Sequence, residues 1–331
     1  MNSSASSVVD PAAPPRSNPI RIGVSACLLG REVRWDGGHK RDRFVTDGLG
    51  RFVEFVPLCP EVESGLSIPR PTLRLAGEID DPRLVFGDSG ADYTEVMRSF
   101  ARARLHTLAD LDLCGFILKS DSPSCGLERV RVYGKGGMAL RKGRGLFAAE
   151  LAARFPLLPL EEEGRLNDAK LRETFVERVF AYRRWLDFVA AGVSLARMVD
   201  FHRIHKYLLL AHSPEHYAAC GRLVARGKAL SRAELREQYG ELFMRGMARA
   251  ATRGRHTNVL QHMAGYFKKQ LDAASKEELH RTLDDYSDGL VPLIVPITLI
   301  RHHVRVFGLA YLEEQVYLAP HPKELMLRNQ V

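Results

Sequence analysis

The stretch DYTEVMRSFARARLHTLADLDLCGFIL (residues 92–118) decides the fold class. Its first part, 92–110, repeats apolar residues at three- and four-residue spacing, the period of a helix with one buried face. Its end, LDLCGFIL (111–118), is a short apolar run and reads as a buried strand. Upstream, IRIGVSA (20–26) and FVEFVPL (52–58) have the same character, the second rich in β-branched and aromatic residues. Strands alternating with helices imply a parallel sheet with helices on its faces. GMALRKGRGLFAAELAARFP (137–156) reads as a Gly-rich loop and a helix, and LPLEEEGRL (158–166) as a last strand and turn. The expectation is an α/β N-terminal domain, a Rossmann-like or flavodoxin-like three-layer sandwich over residues 19–165.

From about residue 168 the pattern changes to helices alone, so an all-α C-terminal domain is expected over 166–331, the boundary falling within 160–192. NDAKLRETFVERVFAYRRWLDFVA (167–190) is one long amphipathic run with Asn167 or Asp168 as its N-cap. Further helices are expected near 194–211, 214–226, 231–253, 255–272 and 275–286, and one starting near Pro296. Residues 1–18, MNSSASSVVDPAAPPRSN, lack the apolar core of a signal peptide and read as a disordered leader. No apolar run approaches a membrane span, and a cytoplasmic protein is expected.

Among 331 residues, 45% are apolar and 27% charged, and the net charge is +8. Residues 190–331 hold 20 Lys/Arg against 14 Asp/Glu, whereas residues 1–189 hold 28 against 26. A basic C-terminal half suits a polyanion, with nucleic acid first in line; simple solubility is the competing explanation. No Walker or GxGxxG fingerprint is present, so no nucleotide cofactor is expected.

Five cysteines, at 27, 59, 114, 125 and 220, are odd in number and form no CxxC pair, which argues against a disulfide framework and a zinc ribbon. Cys27 and Cys59 each end an apolar strand, and Cys125 lies seven residues beyond LCGFIL, in the turn-rich loop KSDSPSCG. In a parallel sheet all strand C-termini emerge on one edge, so these three thiols can converge. Soft sulfur ligands select zinc, copper(I) or an iron–sulfur cluster, and three cysteines would leave one iron of a cubane open. Three unrelated buried thiols are the alternative. Cys114, inside a strand, and Cys220, on a helix, are assigned to packing.

The segments VSACLLGREVRWDGGHKRD, PLCPEVESGLSIPRP and LKSDSPSCG occur in order, and together they resemble the thiouracil desulfidase family over about residues 20–160. Glu63-Ser64 departs from the family pattern, where a second glycine is more usual. FHRIHKYLLLAHSP, VPLIVPITLIRHHVR and YLAPHPKELMLRN resemble a domain found fused to that one, and the two-part layout resembles bacterial tRNA 4-thiouridine desulfidases. The resemblance implies a [4Fe-4S] cluster held by Cys27, Cys59 and Cys125, with Glu61 as acid/base. Ser122 fits the catalytic serine best, with Ser120 and Ser124 close by. It implies replacement of a thiocarbonyl sulfur by oxygen without redox change, with tRNA as partner. A desulfidase of free 2- or 4-thiouracil and a non-catalytic iron–sulfur RNA-binding protein are the alternatives.

Outside the motifs, Glu61 after Pro60 also suits a helix-cap partner, and serine before proline also suits turn formation. Lys40, in the turn of Asp36, Gly37 and Gly38, and the loop YGKGGMALRKGRG (133–145) are candidate phosphate contacts. Arg245, Arg249 and Arg253 recur every four residues, an RNA-binding stripe if one helix runs through them. His302-His303 beside Arg301 and Arg305 reads as an RNA contact or a buried cluster. His202, His205 and His212 are read as structural.

Overall fold

The computed structural model describes residues 19–134 and 137–330, so the leader expected over 1–18 lies outside the described residues. The first half holds strands β1 (Arg21–Ser25), β2 (Glu54–Leu58), β3 (Leu73–Gly77), β4 (Pro82–Phe86), β5 (Leu113–Leu118), β6 (Val130–Tyr133), β7 (Ala139–Gly143) and β8 (Leu160–Glu162). Between them lie helices α1 (Pro60–Glu63), α2 (Thr94–Leu108) and α3 (Leu146–Arg154). Strands β2-β1-β5-β8 form a wholly parallel sheet. All six residues of β5 are buried, because a central parallel strand is covered on both faces. Met97, Ala101, Leu105 and Leu108 form the buried stripe of α2, the periodicity legible in 92–110.

A second sheet, β4-β3-β6-β7, departs from the expected organisation. β3 pairs antiparallel with β4 and parallel with β6, and β6 pairs antiparallel with β7. Where a Gly-rich loop was expected after residue 137, Ala139–Gly143 is the edge strand β7, ahead of α3. Four of its five residues are exposed, so it carries no apolar run to betray it.

The second half is helical: α4 (Ala169–Ala190), α5 (Leu195–Ile204), α6 (Lys206–His212), α7 (Pro214–Ala225), α8 (Arg232–Met247), α9 (Arg253–Ala264), α10 (Ala273–Asp288), α11 (Ile294–Phe307) and α12 (Ala310–Glu313). Asp168 caps α4 by accepting from the Lys170 and Leu171 amides. The helix expected over 231–253 stops at Met247, and Thr252 caps a new helix by accepting from the Arg255 amide. Arg245, Arg249 and Arg253 therefore do not share a helix face, which corrects the stripe. α4 serves both cores. Phe175, Val176 and Val179 pack with Ile22, Val24 and Cys114 beneath the parallel sheet, while Ala181, Trp185 and Phe188 pack into the helical core. No helix among the described residues is long and apolar enough to cross a membrane.

Candidate functional site

In the parallel sheet the chain steps outward from β1 in opposite directions, to β2 on one side and β5 on the other. Such a switch point leaves a crevice at the strand C-termini. A cavity of about 540 Å³ opens there. Cys27 lines it from a 3-10 turn (Ala26–Leu29) directly after β1, Cys59 from the N-cap position of α1 after β2, and Cys125 from the loop after β5. Glu61 and Ser122 line the same cavity. Lys40 does not: its side chain is exposed, while its amide donates to the Cys27 carbonyl and holds the first cysteine's turn.

The Cys125 loop is shaped by its own backbone. The Ser122 hydroxyl oxygen accepts from the Ser124 amide (3.3 Å) and the Cys125 amide (3.0 Å), the turn chemistry that Ser-Pro suggests. Gly126 donates to the Ser122 carbonyl, and Gly145 donates to that of Gly126. A Cβ at Gly145 would stand 2.5 Å from the Ser124 carbonyl carbon, so only glycine lets α3 begin against this loop.

All five cysteines are free thiols, and at the cavity Cys59 lies near enough to raise Cys27 and Cys125, and Cys27 near enough to raise Cys125. Burial, then the neighbouring Cys59 sulfur, pushes Cys27 up to about 11. Burial likewise raises Cys59, and raises Cys125 well above the usual thiol range. Three clustered thiols that resist ionisation together are a poor arrangement for an empty pocket. They suit a thiophilic, positively charged group that stabilises thiolates, and no histidine among the described residues lines the cavity to complete a zinc-type mixed set. Cys114 and Cys220 are buried elsewhere, in the cores.

Glu61 is held on both oxygens. Arg70 donates to Oε2 from Nε (2.9 Å) and from a terminal nitrogen (2.8 Å), and the Ser124 hydroxyl donates to Oε1 (2.8 Å). Arg70 is itself almost fully buried and also donates to the Val33 carbonyl (2.9 Å). The helix-cap alternative for Glu61 falls to its neighbour: Glu63 Oε1 accepts from the Cys59 amide (3.1 Å). Ser120 is drawn away from the cavity's centre, its amide and hydroxyl both donating to Glu163, which also pairs with Lys119.

Arg70, Trp35 and Arg131 line the cavity without having been picked out from the sequence. Arg70 sits within the motif SIPRP, where proline marks a turn but nothing local marks a carboxylate partner. In the helical half, Arg245 pairs with Glu241 of its own helix, and Arg249 and Arg253 are exposed in separate segments. His303 is buried against Phe267 while His302 is exposed, so the two do not form one buried cluster. His212 meets a carboxylate, Glu177 at 2.7 Å, in a buried cluster where Arg328 takes the other oxygen (2.6 Å).

Residues 22–163 match the family model described as 2-thiouracil desulfurase, and residues 206–322 match a family of proteins of unknown function, DUF1722. The uncharacterized protein YbbK of Bacillus subtilis (strain 168) is 32% identical over 113 residues, 32% of this chain and 72% of YbbK. The uncharacterized protein YbgA of Escherichia coli (strain K12) is 27% identical over 165 residues, 50% of this chain and 98% of YbgA. The solved structure titled [4Fe-4S]-dependent thiouracil desulfidase TudS is 34% identical, with 45% of this chain and 93% of that one covered. Its TM-score is 0.38.

Proposed function

Because this chain belongs to the 2-thiouracil desulfurase family through residues 22–163, we propose that it is an iron–sulfur desulfidase that replaces the thiocarbonyl sulfur of a thiolated uracil by oxygen. The finer substrate we assign is 4-thiouridine within tRNA. One observation carries the reading: three strand-end thiols and a carboxylate fixed by Arg70 and Ser124 open on one cavity. The solved relative's title names a thiouracil desulfidase, which favours the free base as the second reading.

Cys27, Cys59 and Cys125 would hold a [4Fe-4S] cluster, which supplies a thiophilic Lewis acid when bound. The overall change is hydrolytic: a C=S carbon gains the oxygen of water and sulfur leaves as hydrogen sulfide, with no net electron transfer. This chain's part in that change is proton handling and orientation. Arg70 takes Oε2 of Glu61, which leaves Oε1, bonded to the Ser124 hydroxyl, to receive the attacking water during the reaction. Glu61 then takes a proton from the attacking water and returns one to the departing sulfur. The Ser122 oxygen is occupied as an acceptor, so its hydroxyl proton is free to donate into the cavity, toward the uracil edge or the water.

Anaerobic reconstitution with iron and sulfide counts tests this reading. Cys27→Ala, Cys59→Ala and Cys125→Ala should each lose the cluster, whereas Cys114→Ala and Cys220→Ala should keep it. Glu61→Gln should keep the cluster and lose about 10²-fold or more in sulfide release. A full cluster in any of the first three variants, or near wild-type turnover in Glu61→Gln, would overturn the assignment.

A further inference from the structure

Four cationic side chains line the cavity, and three are already engaged: Arg34 with Asp36, Arg70 with Glu61, and Lys119 with Glu163. Arg131 is the exception, exposed and without a carboxylate partner among the described residues. It belongs to β6, and the register of the second sheet places two further arginines beside it. Arg131 stands directly opposite Arg141 of β7. On the other side Val132 pairs with Leu75 of β3, and both point inward and are buried. Arg131 and Arg74, one residue earlier in each strand, therefore lie side by side on the outer face, and both are exposed. Lys142, exposed at the bulge beside Arg141, extends the same edge. Against these four cations stands Asp121, paired with Arg141 at 3.7 Å, both side chains being exposed.

Like charges directly opposed across strands oppose folding, and the partners of the outer two, Asp121 for Arg141 and the Tyr133 ring under Arg74 at 5.5 Å, leave Arg131 in the middle of the row without a counter-charge among the described residues. We propose that this row is an RNA track: Arg74, Arg131 and Arg141 hold successive phosphates while a thiolated uracil enters the cavity beneath them. The inference rests on the desulfidase reading and deepens its substrate class. Neighbouring strands are about 4.8 Å apart, so the row spans about 10 Å with the cavity-lining Arg131 at its middle. Cations on both sides of the entry match a chain that continues on both sides of the reacting nucleotide. A mononucleotide has its phosphate on one side. Trp35, 46% exposed on the cavity wall, offers a ring face on which a base drawn out of its stack can rest.

The test is equilibrium binding of a tRNA containing 4-thiouridine to the anaerobic holoprotein, as a function of KCl. With three phosphate contacts, the combined Arg74→Gln, Arg131→Gln, Arg141→Gln variant should lower the slope of log affinity against log salt by about 2–3, and the corresponding triple lysine variant should retain it. Arg74→Glu alone should lower the slope by about one, and it serves if the triple variant does not fold. An unchanged slope in the folded triple glutamine variant overturns the track, as does absence of RNA affinity in the wild type. So does 4-thiouridine monophosphate competing as well as the RNA, since the row would then serve a single phosphate. Sulfide release from free 2-thiouracil by the wild type reads the desulfidase assignment separately. Release without RNA affinity leaves the enzyme and removes the track, and RNA affinity without release from either substrate does the reverse.

Discussion

Ser122 and Ser124 lie two residues apart and do different work. Ser122 accepts from the Cys125 amide and so fixes the loop that presents a sulfur, whereas Ser124, fully buried, donates to Glu61. A hydrogen bond to a charged group contributes about 1.5–3 kcal/mol, which corresponds to roughly 10- to 100-fold if it is needed to aim the carboxylate. Ser124→Ala should therefore lower kcat by that factor with iron content unchanged. Ser122→Ala should lower turnover and also iron retention, because the Cys125 amide loses its acceptor. Parallel iron assays and kinetics on the two variants check this. Equal iron loss in both would make Ser124 a second loop support and not a positioning residue for Glu61. Sequence reading could place all three serines near the cysteine, but it could not separate them, since only the folded loop decides which hydroxyl faces which oxygen.

At the scale of elements, the start of α3 is pressed onto the cysteine loop. Gly145 occupies the N-cap position of α3, and any side chain there would collide with the Ser124 carbonyl and the Cys125 amide. Gly145→Ala should destabilise the protein by about 1–3 kcal/mol, the usual range for overpacking. It should also displace Cys125, so iron content should fall further than stability alone accounts for. Urea unfolding with iron counts on the folded fraction measures both, and full iron in a folded Gly145→Ala protein would refute the coupling. The same region was the least legible part of the chain. β1 and β5 announce themselves as apolar runs because both their faces are covered, and β2, half-buried at the sheet edge, by its Phe and Val, while β7, an exposed edge strand of Ala, Leu, Arg, Lys and Gly, has no local pattern to read. Its strand character comes from the partner β6.

Across the whole molecule, buried histidines set the response to acid. Burial holds His205, beside Arg184, and His256, beside Arg328, Glu177 and His212, each down to about 3 from the ordinary 6.5. The unfolded chain binds protons at these sites below pH 6.5 and the folded chain does not, so their stability contribution is lost as pH falls toward 3. Each loses about 1.4 kcal/mol per pH unit. Glu173 works against them: burial and the neighbouring Glu177 push it up to about 7, so the folded state takes up its proton first between pH 7 and 4.5. The two histidines outweigh the one carboxyl, so the net is a loss of stability as pH falls below 6.5. Glu177, held low by Arg328 and His212, adds to the loss only below its ordinary value of 4.5. Urea midpoints at pH 7 and pH 5 test the sign, and equal or higher stability at pH 5 would contradict it.

What the sequence by itself determined is whatever depends on neighbours along the chain. The helical period of 92–110, the apolar runs of the parallel strands, the cap at Asp168 and the placement of Cys27, Cys59 and Cys125 just after strands are all local, and one rule of parallel sheets turns that placement into convergence. Tertiary structure alone decided the rest. It paired Arg70 with Glu61 and Arg328 with Glu177, set three arginines abreast on the second sheet, and gave one helix, α4, to two cores. Strand register and buried ion pairs join residues as distant as Glu177 and Arg328, 151 positions apart, and no spacing rule along the chain encodes which of many possible partners will meet. That choice is made by the packing energy of the whole fold. The stripe expected at Arg245, Arg249 and Arg253 failed for the same reason, because a spacing of four places charges on one face only where a single helix runs through them.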